Sequence, residues 1–477
     1  MNPAADYIRI LPELLFTFFG VLVMMLEPLL DSGSSRKFLG MLAALGSFMA
    51  IIASAYQAWY RGTAFWGMVR VDSFSIFFHL LVAVVTLVVI LSSLEYMETQ
   101  QIRAGEFYAL ILFGAVGMSL MSSAIELVLI FIALEISSIS TYVLAGFRRR
   151  IPASTESSLK YFLLGSFATA FFLYGVAMMF GATGSTNVYE ISAALRLNPS
   201  RLSFLAVALM FVGLGFKAAS VPFHVWTPDV YEGAPAPVVG LISTAPKAAV
   251  FAVLLRILFA ASAPGWFWLI WLSAALSMTL GNIGALVQTN IKRLLAYSSI
   301  AHAGYLLMAF AARPDPGISA AMFYAASYAA MNVGAFVVVG HFANAGERYV
   351  TLEDYAGLGR RSPFLAATLT VFLLSLIGIP LTAGFFAKFY VFAAALRANL
   401  VGLTLIAVVN SALAAYYYLR LIVLMYMREQ TEVVPLLRIP ASLGIALAIS
   451  LAATIYLGVL PGRVLDYAAR SAYDLLR

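Results

Sequence analysis

The chain has no cysteine. That excludes disulfides, thiolate chemistry, cysteine-ligated zinc and cysteine-held iron–sulfur clusters. Histidine is almost as scarce, with four residues scattered at 79, 224, 302 and 341, which leaves no plausible haem or metal site. Charge is sparse as well. Only 11% of the 477 residues are Asp, Glu, Lys or Arg, against roughly 25% in soluble domains. Soluble-enzyme signatures are missing too: no P-loop, no GxGxxG following a strand, no GxSxG and no HExxH.

What is present is apolar. Hydrophobic residues make up 62% of the chain, in long unbroken runs. Such runs exclude an alternating β-barrel pattern and predict an all-α polytopic membrane protein. A spanning helix needs about 20 residues, and the length then holds about fourteen of them. The run at 363–397 is too long for one straight crossing and is interrupted by Pro380, Thr382 and Gly384, so it reads as a single broken helix. The polar stretches at 183–201 and 344–362 are connectors, and no soluble domain fits anywhere.

The net charge of +7 would suit a nucleic-acid binder only if it were clustered on one surface. It is instead spread through loops, where Lys and Arg set membrane orientation. Arg36, Lys37, Arg103, Arg148, Arg149, Arg150, Lys292, Arg293, Arg348, Arg360, Arg361, Arg428 and Arg438 fall on one side. Arg61, Arg70, Arg196, Arg201 and Arg313 fall on the other. The first side is expected in the cytoplasm and both termini outside; Arg463, Arg470 and Arg477 run against this assignment. The first apolar segment lacks a basic leader and a cleavage site, and reads as a retained helix.

Against this background three lysines stand out. Lys217, Lys247 and Lys388 each have apolar sequence on both sides. Intramembrane charge costs from about 2.5 kcal/mol upwards, and such residues mark ion pathways by default. An ammonium taken out of water loses hydration, and a nearby carboxylate restores it in part. A lysine held between those influences can load and release a proton, which an arginine cannot. Snorkelling is the bland alternative. Lys247 lies about ten residues from either end of its segment, roughly 15 Å, beyond a lysine's reach. Glu135, in ELVLIFIALEISSISTYVL, is the one acid well inside a span and the natural countercharge. Glu126 reads as a first-turn acid, and Asp72 as an N-cap.

Secondary candidates are weaker. Lys160 follows Glu156 by four residues, so an i,i+4 surface pair competes with a pathway role. His224 follows Pro222, which frees helical backbone, and is either a proton relay or a histidine bonded to that backbone. His302, beside Ser298, Ser299 and Tyr305, is either a relay or a satisfied core residue. His79 and His341, nearer segment ends, read as structural; Asp229 and Glu232 read as loop acids that cap the next helix or rim a channel mouth.

One internal echo organises these residues. GFKAASVPFHVW at 215–226 and GIPLTAGFFAKFYVF at 378–392 both combine a membrane lysine with Pro and Gly interruptions, about five helices apart. An odd offset reverses direction, the signature of inverted repeats with discontinuous helices.

VPFHVWTPDVYEGAPAPV, QTNIKRLLAYSSIAHAGYLL and GIPLTAGFFAKFYVF closely resemble the antiporter-like membrane subunits of respiratory complex I, the NADH–quinone oxidoreductase. Within that group ESSLKYFLLGSFATAFFLYG and the compact C-terminus look like the subunit N, ND2-type members. The resemblance implies about fourteen transmembrane helices with two inverted five-helix repeats, each with a discontinuous helix. The implied divisions are an N-terminal three-helix segment at 1–104, repeats at 105–262 and 263–428, and a C-terminal helix and tail at 429–477.

It also implies proton translocation. Glu135 would pair with Lys217, Lys247 would be the central lysine, Lys388 the exit-side lysine and Lys160 a further sixth-helix lysine. Flavin, iron–sulfur clusters and quinone reduction would belong to partner subunits, with no cofactor in this chain. Antiporter-like M-type and K-type subunits would be its membrane neighbours, in a bacterial inner membrane. The competing expectation is an Mrp-type cation/proton antiporter or membrane-bound hydrogenase subunit, which co-purification with NADH dehydrogenase subunits would distinguish. A purely structural spacer is the third reading.

Overall fold

The computed structural model describes residues 3–31, 33–197, 200–260, 266–312, 314–429 and 438–476. Arg313, Arg477 and the expected boundary between 262 and 263 lie outside the described residues. Among those described, thirteen helices are long and apolar enough to cross a membrane. Pro363–Ile377 and Ala383–Arg397, each 15 residues long, supply one more crossing in two pieces. The only paired strands described are Gly62–Ala64 and Val69–Val71, a short antiparallel ribbon in a loop. The all-α membrane architecture expected from composition is therefore present.

Loop contacts identify the two ends of the bundle. At one end Gln100 donates to the Asn344 carbonyl, and Asn290 bridges Thr351. At the other, Val69 bridges Ala124 and Glu126 bridges Asn187. The helix Gly462–Leu476 also lies at this second end, where its Asp474 accepts from Ser73. The first end carries the arginine-rich loops and is called the basic end below. Asp72 caps Ser73–Thr99 through a capping box with Ser75, as expected. Glu126 caps Leu127–Ala145 by accepting from the Leu129 amide at 2.6 Å.

Two crossings are discontinuous. Arg201–Ala218 ends with Ala219 in the left-handed region, and the chain resumes as Thr227–Gly233. The polar groups freed there are satisfied by side chains, since a buried orphan amide is costly. Ser277 accepts from the Val221 amide at 2.8 Å, Ser273 donates to the Val221 carbonyl at 2.7 Å, and Trp226 donates to the Phe216 carbonyl at 2.9 Å. The backbone that Pro222 was expected to open is thus held by the serine pair of the Trp266–Leu286 helix. The second break, at 378–382, lies on a crossing of opposite direction.

A third interruption was not foreseen. The segment carrying Lys247 is not one helix but two, Ala236–Ile242 and Ala245–Ala260. Ser243 and Thr244 separate them; Thr244 turns its hydroxyl onto the Gly240 carbonyl at 2.6 Å, and Ser243 accepts from Asn332 at 2.8 Å. Pro246, the second residue of the later piece, has no N–H for the Ile242 carbonyl and its ring crowds it; the two hydroxyls add to the bend by competing for helical carbonyls. Lys247 is the third residue of the second piece, though still deep within the combined crossing.

Candidate functional site: a line of buried lysines

All three lysines are buried, with 2–5% of each residue exposed. That excludes snorkelling. Lys217, in the last turn before the first break, donates to Ser138 Oγ and Thr141 Oγ1, both at 3.1 Å. Its ammonium also lies over the rings of Tyr142 and Tyr161, at 5.3 and 5.1 Å. The expected partner Glu135 is on the same helix as Ser138 and Thr141, one turn earlier. No ion pair within 4 Å joins Glu135 to Lys217, and Glu135 Oε1 is buried without a hydrogen-bond partner among the described residues. The two are close enough to interact electrostatically but form no closed salt bridge.

Lys247 donates to the Ser299 carbonyl at 3.2 Å and makes a close contact with the Ser299 hydroxyl. Tyr231 reaches the same hydroxyl at 3.3 Å. An aromatic series leads back from there: Tyr231 meets Trp226 edge-on at 6.2 Å, and Trp226 stacks on Tyr161 at 4.4 Å. Tyr161 is one of the rings beneath Lys217. On the other side, His302 lies one helical turn past Ser299, buried, with Nδ1 2.6 Å from Tyr324 Oη. The His302 ring is 5.8 Å from that of Tyr305, over which Lys388 sits at 5.1 Å. His302 is within electrostatic range of both Lys247 and Lys388.

Lys388 occupies the second break. Its ammonium donates to the Leu376 and Ile377 carbonyls at 3.2 and 2.7 Å and to Ser411 at 2.9 Å. It thus caps the C-terminus of Pro363–Ile377, where orphan carbonyls and the helix dipole favour a cation. Gly378 ends that helix with φ +96°. A Cβ there would approach Lys388 Cδ to 3.1 Å. Gly378→Ala is expected to cost about 1–2 kcal/mol in the left-handed region and to displace the Lys388 stem. Thermal unfolding in detergent, read beside proton translocation, checks both effects.

The secondary candidates separate. Lys160 is 41% exposed at its side chain, bonds Glu156 and Asp229 at 2.7 and 2.6 Å, and stands apart from the buried line. Asp229 and Glu232 do not cap the next helix. They hold Arg293, at 2.9 and 2.7 Å. His224 is half-buried, with Nδ1 lacking a partner among the described residues, and it hydrogen-bonds to none of the lysines.

The cap of the next helix comes from a residue that sequence reasoning passed over. Glu347 accepts from the Ala236 amide and from Tyr96 Oη, both at 2.7 Å. Its other oxygen binds Lys292 at 2.6 Å and Arg148 at 3.0 Å. Lys292 and Arg148 had been counted as orientation-setting loop charges. At the opposite end the buried Arg256 holds both Asp72 oxygens through Nη2, at 3.0 and 3.1 Å. Both clusters fix the ends of the crossing that carries Lys247. Among the described residues no group of three or more His, Asp or Glu could hold a metal ion.

Comparisons with known proteins show the family of the chain. A family profile described as NADH:quinone oxidoreductase/Mrp antiporter, transmembrane, matches residues 124–414, the part containing all three lysines and Glu135. NADH-quinone oxidoreductase subunit N 2 of Koribacter versatilis is 67% identical over all of this chain and 98% of its own length. The chain belongs to the subunit N family of NADH–quinone oxidoreductase. The subunit N of Trichlorobacter lovleyi is 42% identical over 97% of the chain and 96% of its own length. A chain of respiratory complex I from Thermus thermophilus superposes with a TM-score of 0.82 at 38% identity, covering 96% of this chain and 99% of that one. A chain of the Mrp complex from Dietzia superposes at 0.87, but at 20% identity that likeness is one of fold. As a subunit N the protein is an antiporter-like membrane component of the oxidoreductase, assembled with its other membrane subunits.

Proposed function

We propose that this subunit translocates protons through the line Lys217–Lys247–Lys388, driven by NADH oxidation and quinone reduction elsewhere in the complex. The observation that carries the proposal is the spacing of three buried lysines along one continuous series of hydroxyls and aromatic rings, each at or beside a helix interruption. Breaks at membrane depth expose backbone dipoles to an ion path. Protons enter from the basic, cytoplasmic end near the first break and load Lys247. They pass by Ser299, His302 and Tyr305 towards Lys388 and leave outside. Flavin, iron–sulfur clusters and quinone act in the partner subunits, and this chain works without a redox centre of its own.

Glu135 controls loading. With its charge near Lys217, the Lys217 ammonium is favoured; moving that charge away weakens it and pushes the next transfer. Two inverted repeats, 105–262 and 263–428, give each half its own broken helix, and the opposite direction of the two breaks supports that division. The protein sits in a bacterial inner membrane with both termini outside.

Glu135→Gln keeps the side chain's shape and removes its charge. In an assembled complex reconstituted into vesicles it is expected to lower the number of protons moved per electron while the complex still assembles. Unchanged stoichiometry in a fully assembled complex would favour a structural spacer. An Mrp-type role gains nothing from the geometry, because both machines would use this fold.

A further inference from the structure

Far from the lysine line, the three N-terminal crossings enclose a second pair of titratable groups. Glu13 lies in the first turn of Leu11–Leu26 and His79 in the second turn of Ser73–Thr99. Their residues are 5% and 0% exposed. Glu13 Oε1 is 3.4 Å from His79 Nε2. Both carboxylate oxygens are buried and have no hydrogen-bond donor among the described residues. A buried carboxylate in that position needs a proton or a countercharge, and only the imidazole offers one.

The surroundings of the ring specify its protonation. Nδ1 faces Gln57 Oε1 at 2.8 Å, and Gln57 Nε2 donates to the Arg9 carbonyl at 2.7 Å, so the amide presents its oxygen to the ring. Nε2 faces the Ser119 carbonyl at 3.1 Å. Each ring nitrogen therefore meets an acceptor, whereas a neutral imidazole has a single N–H. An imidazolium satisfies both, with Glu13 as counterion. Moving one proton from Nε2 to Glu13 gives a neutral ring beside a carboxylic acid. An N–H bond breaks and an O–H bond forms, and the pair holds the same number of protons in both forms.

The pair is also wired to the Lys247 crossing. Ser122 Oγ donates to the Ser119 carbonyl at 2.7 Å, and Arg256 Nε donates to the Ser122 carbonyl at 3.2 Å. Arg256 is on the helix of Lys247, nine residues further on. The charged groups facing the ring are Asp72, held by Arg256 and by Arg70 at 3.6 Å, and Arg256 itself. Arg9 turns its guanidinium away, to Asp6 and to the Tyr60 and Thr63 carbonyls. All of this lies at the end opposite the basic loops.

We infer that Glu13 and His79 form an additional proton-holding dyad near the outer face, in which a single proton moves between His79 Nε2 and the Glu13 carboxylate during turnover. The inference rests on the proton-translocation reading. It is tested in the assembled complex in vesicles with Glu13→Gln and, as a control for that reading, Lys247→Ala.

Glu13→Gln is expected to lose part of the protons moved per electron, with assembly and electron transfer retained. It is also expected to lose a turnover-dependent carboxylic-acid band in the infrared difference spectrum. Wild-type stoichiometry and an unchanged spectrum in Glu13→Gln, alongside impaired Lys247→Ala, would overturn the dyad and leave the lysine line standing. Normal pumping by Lys247→Ala would instead remove the reading beneath both. Should Glu13→Gln fail to assemble, Glu13→Asp keeps the acid one methylene shorter. It must then retain pumping and shift the band; an unshifted band sinks the dyad.

Discussion

Lys247→Ala in an otherwise intact complex is expected to abolish most proton movement through this subunit while leaving NADH–quinone electron transfer measurable in uncoupled membranes. Lys247 is the central member of the line. Its ammonium bonds the Ser299 carbonyl and contacts the Ser299 hydroxyl, and no other cationic side chain reaches that serine among the described residues. Alanine leaves a methyl group where the proton must pause. A charge crossing that gap without its carrier meets at least about 2.5 kcal/mol, between one and two powers of ten in rate.

The companion variant Lys247→Arg sharpens the test. It keeps a positive charge but cannot release its proton in the working range, and the close contact with Ser299 leaves little room for a planar guanidinium. It is expected to pump no better than alanine. If arginine restored pumping, the residue would act as a fixed charge, and the loading role would be wrong. The measurement is proton-to-electron stoichiometry with a parallel check of assembly.

The parts of this site that were readable from sequence are those with a local signature. A lysine set in largely apolar sequence on both sides is conspicuous because hydrocarbon tolerates it only for a reason. Pro222 and Pro380 mark the breaks because the backbone preference of proline is local. Asp72 could be assigned as a cap from position alone, whereas Glu126, read as a first-turn acid, stands one position earlier as the N-cap.

What escaped was long-range. Glu347 sits in a polar connector, 55 positions from Lys292 and more than a hundred from Ala236, and nothing in its neighbourhood distinguishes it from a solvated loop acid. Glu13 is similar: it lies in the first turn of its helix, and only the packing of Leu11–Leu26 against Lys37–Tyr56 and Glu106–Ser123, with His79 reaching in, reveals its burial. The break at Ser243–Thr244 does have a local trace that sequence reasoning passed over: Pro246, whose missing N–H leaves the Ile242 carbonyl without its helical partner. Arg36, Arg148 and Lys292, counted from sequence only as loop charges, also hold buried ion pairs whose partners lie too far along the chain to be read locally.

The Glu347 cluster supports the prediction with the largest effect on stability. Glu347→Gln is expected to destabilise the subunit by about 3–5 kcal/mol, the usual consequence of removing one partner from a buried ion network. Two cations, Arg148 and Lys292, would be left facing a neutral amide, each less than 10% exposed. The loss would also spread, because one carboxylate joins five parts of the fold: Tyr96 at the end of Ser73–Thr99, the 146–151 loop, the amide of Ala236, the start of Ile291–Ala311 and the 345–347 turn.

The pH dependence has a defined sign. Burial alone would raise the Glu347 carboxyl; the charges of Lys292 and Arg148 outweigh it and hold the group below its ordinary value. A carboxyl lowered in the folded state stabilises above its unfolded value and loses that contribution as pH falls through the folded one. The wild type should therefore weaken on acidification below the ordinary glutamate range, and Glu347→Gln should lack that limb. Thermal unfolding of the detergent-solubilised complex as a function of pH measures both. Lys292→Met in the Glu347→Gln background removes one stranded cation and is expected to recover part of the loss. If the single variant unfolds like the wild type at neutral pH, the cluster is not what holds the basic end of the Lys247 crossing in place.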